Sequence, residues 1–156
     1  MPIPDTPFTL PSTFPVMGVG VLAVVFLNIF QARNVGVKRA AAGVKYPAAY
    51  ASEEAAKADP KKNVFNCAQR AHANTLEFIP SLVGMFAYVG CFHPLLATGS
   101  LLVWVISRVG YTINYSTGEP AKRVQGISRI GALGGISLVL SSIYITATEV
   151  HRLFLS

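Results

Sequence analysis

Apolar residues along this chain are gathered into four long runs, and polar or basic segments separate these runs from one another. The runs cover residues of about 14–33, 63–91, 95–116 and 128–148. Each run reaches the roughly 20 residues that a helix needs to cross the hydrocarbon core of a bilayer. We therefore predict an all-α membrane protein in which a single domain, residues 1–156, forms a bundle of four transmembrane helices.

The second run opens with a strongly polar stretch, residues 65–77. On a helix, spacings of four, four and three residues place one set of polar side chains on a common face: Asn66, Arg70, Asn74 and Glu77. Because Arg70 and Glu77 are about 10 Å apart along the axis, we expect no direct ion pair between them. Ionised groups inside a membrane span are costly and usually functional, so this stretch indicates a ligand site.

A second polar stripe lies on the third run, where Arg108, Tyr111 and Tyr115 share one helical face. We expect the two stripes to face each other at the same depth, so that several basic side chains and one acid line a common pocket. Such a pocket suits a small zwitterion, because arginine binds carboxylates and Glu77 would bind an ammonium group. A tripeptide such as glutathione and a phospholipid headgroup both carry these groups, so the residue pattern leaves both ligands open.

Composition and charge support the membrane assignment and predict an orientation. The chain is 52% hydrophobic and only 13% charged, whereas about a quarter of the residues in a soluble domain are charged. The segments after the first and third runs hold nearly every lysine and arginine, so the positive-inside rule places both segments in the cytosol. Cys67 and Cys91 would lie about 36 Å apart on one helix and cannot pair within a chain. No spacing of metal ligands is present.

The polar stretch, Phe-Asn-Cys-Ala-Gln-Arg-Ala-His-Ala-Asn-Thr-Leu-Glu at residues 65–77, is followed by Pro80. Together they resemble the signature of the MAPEG family, the membrane-associated proteins in eicosanoid and glutathione metabolism. Residues 44–47 and 115–123 are similar to the microsomal glutathione S-transferase 3 branch. The resemblance extends from about Arg33 onward. It implies a homotrimer of four-helix subunits, with glutathione held between neighbouring subunits near the cytosolic face.

The resemblance also implies roles for individual residues. Carried over position by position, the family's glutathione contacts fall on Arg33, Arg70, Asn74, Glu77, Arg108, Tyr111 and Tyr115. His72 stands where the leukotriene-synthase branch has a glutamine. We include His72 among the predicted glutathione contacts, and a structural hydrogen bond within the trimer is an equally weighted alternative. Lys122 stands where that branch has its thiolate-activating arginine in an ungapped alignment. Lys122 or Arg123 is therefore the predicted catalytic cation.

The expected function is that of a membrane-bound glutathione transferase or glutathione peroxidase, with leukotriene C4 synthase-like activity as a related reaction. Its partners would be glutathione as co-substrate, a lipophilic electrophile or lipid hydroperoxide, and membrane lipids, with no metal and no nucleic acid. We expect it in the endoplasmic reticulum, or alternatively in the outer mitochondrial membrane, with its site facing the cytosol. The competing hypothesis is a non-enzymatic lipid-binding scaffold of the lipoxygenase-activating type.

Overall fold

The computed structural model describes residues 8–154, which fold into helices joined by turns and contain no strand. The helices are α1 (Met17–Ala42), α2 (Glu53–Ala58), α3 (Pro60–Phe92), α4 (Pro94–Tyr115) and α5 (Gly131–Phe154). Four helical segments, built around α1, α3, α4 and α5, are long and apolar enough to cross a membrane, which confirms the predicted all-α membrane fold. The ends of the predicted domain, residues 1–7 and 155–156, lie outside the described residues.

The first helix is longer than the apolar run that predicted it. It continues through Gly36 and the alanines that follow, past the predicted end of the span at Arg33. Gly43 then ends it with a φ of 63°, a left-handed conformation that glycine adopts without steric cost. The last turns of α1 therefore extend into the basic segment.

One continuous helix carries both the polar stretch and the apolar run behind it. The Asp59 side chain accepts a hydrogen bond from the Lys61 N–H, and Pro60 occupies the first helical position, which is a favourable start for α3. The helix then runs through Pro80 and ends at Phe92, just before Pro94 starts α4. The polar stretch is thereby held on a rigid element that also packs in the core.

The main hydrophobic core lies in the half of the bundle away from the basic segment, and all four long helices contribute to it. Its largest buried side chains include Leu27, Leu82, Phe86, Leu101, Trp104 and Leu138. At Gly134, α5 lies so close to α4 that a Cβ atom there would meet backbone atoms of Ser100 and Trp104. Small residues allow such close helix packing in membranes, where association depends on contact between helices.

Candidate functional site

The polar face of α3 forms an exposed ion pair. Arg70 Nη1 lies 2.6 Å from Glu77 Oε1, and Asn74 Nδ2 lies 3.5 Å from Glu77 Oε2. Our expectation that Arg70 and Glu77 would not pair directly is therefore wrong. Seven residues make nearly two full turns, so the side chains lie one above the other, and the long arginine spans the rise between them.

Arg108 joins this face to α4. Its side chain is only 8% exposed. Its Nη2 donates to Asn74 Oδ1 at 3.0 Å, while Nε and Nη2 donate to Thr75 Oγ1 at 3.0 and 2.8 Å. The guanidinium carbon also lies 3.8 Å from the centre of the Tyr111 ring. The structure thus brings the polar stripes of α3 and α4 to one level, as the sequence predicted.

A buried amide that sequence analysis did not assign to the site supports this junction. Gln31 on α1 is fully buried, and its Nε2 donates to Thr75 Oγ1 at 2.8 Å and to Thr112 Oγ1 at 2.7 Å. Thr112 in turn donates to the backbone oxygen of Arg108 at 2.7 Å. Gln31 therefore connects three membrane helices around Arg108. The sequence signal for this residue is an amide inside an otherwise apolar run.

The loop after α4 places the two predicted catalytic cations differently. Lys122 Nζ forms an ion pair of 2.6 Å with Glu119 Oε1. Arg123 Nη1 donates to the Pro120 oxygen at 2.8 Å, and its guanidinium carbon lies 5.9 Å from the centre of the Tyr115 ring. Of the two predicted catalytic cations, Arg123 is thus the one beside the tyrosine of the site.

Two of the predicted binding residues remain apart from this arrangement within one subunit. Arg33 is exposed on α1, and His72 is half-buried on α3. In the part of the chain that the structure describes, no hydrogen bond or ion pair links either residue to the rest of the predicted site. Across residues 8–154, no three histidine, cysteine, aspartate or glutamate side chains are grouped so that they could hold a metal ion.

An amphipathic cleft of about 850 Å³ opens beside Arg108 and Tyr111, between α3, α4 and α5. Most of its lining is apolar and includes Phe78, Leu82, Trp104, Ile136, Val139 and Leu140. An apolar molecule in this cleft would have its chain among these side chains and one end beside the cation. The arrangement can therefore bring a lipophilic molecule and a polar, charged one together.

These features define a four-helix integral membrane protein with charged and hydroxyl side chains at a helix junction, next to an apolar cleft. Residues 17–144 match the family model described as MAPEG family, and the chain belongs to that family. Membership confirms the family predicted from the polar stretch and fits a membrane glutathione transferase or an eicosanoid-related function. The match does not separate the branches of the family, so the similarity to the microsomal glutathione S-transferase 3 branch stays a prediction.

Proposed function

We propose that this protein is a membrane-bound glutathione transferase that also reduces lipid hydroperoxides, in the manner of the microsomal glutathione S-transferase 3 branch. The observation that carries the proposal is the hydrogen bond of 3.0 Å between Arg108 and Asn74. It holds the charged faces of two helices together at the mouth of the apolar cleft. A charged tripeptide and a lipophilic partner would meet there, as conjugation requires.

The exposed pair of Arg70 and Glu77 suits exchange with a zwitterionic ligand. Glutathione carries two carboxylates and one ammonium group. A carboxylate of the ligand can therefore replace Glu77 as the partner of Arg70, and the ammonium group can replace Arg70 as the partner of Glu77. An ion pair with about half of each side chain exposed contributes little to stability, and opening it costs correspondingly little. Asn74, oriented by Arg108, would bind a peptide group of the ligand.

Catalysis would proceed through the glutathione thiolate. A cysteine thiol has a pKa of about 8.5, so only a few per cent is ionised at neutral pH. We assign the activating cation to Arg123, because Lys122 is paired with Glu119 while Arg123 lies beside Tyr115. In conjugation, the thiolate attacks an electrophilic carbon, the C–S bond forms, and the bond to the leaving group breaks.

Peroxide reduction would use the same thiolate. It attacks the terminal oxygen of a lipid hydroperoxide, the O–O bond breaks, and the lipid leaves as an alcohol after taking a proton. The resulting glutathione sulfenic acid reacts with a second glutathione to give the disulfide and water. Both reactions require a lipophilic substrate that reaches the polar end of the cleft from the bilayer.

We further propose a homotrimer in which the glutathione site is completed by a neighbouring copy. The isolation of Arg33 and His72 from the site within one subunit supports this assembly, because a neighbouring copy can supply such residues to the ligand. The distribution of lysine and arginine supports a site that faces the cytosol. We propose the endoplasmic reticulum as its membrane, with the outer mitochondrial membrane as the alternative.

The competing proposal is a lipid-binding scaffold without catalysis, and the volume and apolar lining of the cleft favour it. Equilibrium dialysis of the purified protein with labelled glutathione separates the two. Turnover should then be measured with a chloronitrobenzene-type acceptor, a lipid hydroperoxide and a leukotriene-type epoxide. A scaffold would bind lipid, would not bind glutathione and would consume none of the three substrates. That result would refute the transferase.

A further inference from the structure

We propose that residues 48–51, the segment between α1 and α2, form the outer wall of the glutathione site, and that Tyr50 on this segment binds a carboxylate of the tripeptide. The inference rests on the proposed glutathione site and extends it to a part of the chain that lies outside the predicted set of contacts. It assigns Arg39 and Asn66 as positioning residues that hold the segment in place.

Arg39 fixes the first half of the segment. This side chain is only 8% exposed. Its Nη1 donates to the Ala48 oxygen at 2.7 Å, and its Nη2 lies 3.4 Å from the Ala49 oxygen. The guanidinium also lies against two aromatic rings, with ring centres at 4.4 Å for Tyr46 and 4.6 Å for Phe65. Because Nη1 and Nη2 are directed to the backbone of the segment and two aromatic rings lie against the guanidinium, Arg39 acts as a support for the segment, although its buried Nε has no hydrogen-bond partner within residues 8–154.

Asn66 fixes the other end of the segment. Its Oδ1 accepts the Ala51 N–H at 2.8 Å, and its Nδ2 donates to the Ala51 oxygen at 2.9 Å. Both ends of the amide are therefore engaged, although Asn66 shares a helical face with Arg70. Because Arg70 follows Asn66 by one turn of α3, this paired contact anchors the segment directly beside the exposed arginine.

Tyr50 lies between these two anchors, and its side chain is 40% exposed. It directly precedes Ala51, whose N–H and oxygen are bound by Asn66, one turn of α3 before Arg70. The backbone of Tyr50 is thus held close to Arg70, where its phenol can share a ligand with the guanidinium. A guanidinium with neighbouring O–H donors is a suitable site for a carboxylate, because each donor adds a charge-assisted hydrogen bond.

The test compares Tyr50→Phe with wild type and with Tyr144→Phe, which removes an exposed phenol from α5 outside the site. Glutathione affinity is measured by equilibrium dialysis, and KM and kcat are measured with a chloronitrobenzene-type acceptor. We expect Tyr50→Phe to raise the Kd and KM for glutathione about tenfold, the effect of one hydrogen bond to a charged group. Its kcat and the KM for the acceptor should stay within twofold, and Tyr144→Phe should match wild type.

Two analogues locate the contact: glutathione with its glycyl carboxylate esterified, and a tripeptide that lacks the α-carboxylate of the glutamyl residue. If Tyr50 binds one carboxylate, wild type and Tyr50→Phe should bind one of these analogues equally. Asn66→Ala should weaken glutathione binding to a similar degree, with no further loss when it is combined with Tyr50→Phe. Asn66→Asp, which keeps the acceptor for the Ala51 N–H, serves if the alanine variant does not fold.

The outcomes distinguish this inference from the proposed function. Wild type that binds no glutathione overturns both. Wild type that binds glutathione while Tyr50→Phe binds it equally well overturns only the role of Tyr50. A tenfold loss that persists with both analogues also overturns it, since the phenol would then act on the fold of the segment and not on a carboxylate.

Discussion

Replacing Thr75 with valine tests whether the buried polar network fixes Arg108. The two side chains have nearly the same shape, so the change removes hydrogen bonds with little change in volume. Thr75 Oγ1 accepts from Arg108 Nε at 3.0 Å and Nη2 at 2.8 Å, and from Gln31 Nε2 at 2.8 Å. In the variant, Arg108 Nε and one amide hydrogen of Gln31 lose their partners in a buried environment.

The expected cost follows from these contacts. A neutral hydrogen bond between membrane helices contributes about 0.6 kcal/mol, and one made by a charged group about 1.5–3 kcal/mol. Arg108 Nη2 keeps its contacts with Asn74 and the Ala71 oxygen, so the loss is dominated by Nε. We therefore expect Thr75→Val to lower the free energy of unfolding by about 2–4 kcal/mol.

The measurement is a denaturant titration in detergent micelles, followed by the fluorescence of Trp104, the single tryptophan of the chain. Its ring centre lies 5.8 Å from the guanidinium carbon of Arg108, so the signal reports on the affected region. Thr112→Val is the matched control, because Thr112 accepts only from Gln31 and should cost about 1 kcal/mol. If Thr75→Val proves no more destabilising than Thr112→Val, the network does not hold Arg108 and this reasoning is refuted.

Three further predictions concern the cation, the acid and the packing of α5. Arg123→Ala should lower kcat at neutral pH by about 10- to 100-fold and shift the pH–rate profile to higher pH, since a cation that lowers the thiol pKa by two contributes about 2.7 kcal/mol. Lys122→Ala should change kcat little. If Lys122→Ala has the larger effect, Lys122 is the catalytic cation. Glu77→Gln should weaken the binding of glutathione more than the binding of an analogue that lacks the amino group, as measured by dialysis. An equal loss of affinity for both ligands would refute the contact between Glu77 and the ammonium group. Gly134→Ala should lower the melting temperature in detergent, because its Cβ meets the α4 backbone. Gly135→Ala has open space and serves as control.

The helices and the two polar stripes were predictable because they depend on local rules. Apolar runs of membrane length need no partner to be recognised, since the backbone of any such run must satisfy its own hydrogen bonds in lipid. The period of the helix then places Arg70 and Glu77 on one face, and Arg108 with Tyr111 on another. That the two stripes meet at one level also followed, because α3 and α4 are antiparallel neighbours joined at His93.

The sequence by itself determined the four-helix membrane fold and the family, and it predicted most of the candidate ligand contacts. The tertiary structure decided which of these groups touch: that Arg70 pairs with Glu77, that Gln31 donates to Thr75, and that Asn66 binds the segment carrying Tyr50. Helical periodicity gives the face of a residue but not its rotamer or its distant neighbours. Those depend on how buried polar groups find partners once the helices have packed, because an unpaired group inside the bundle is costly.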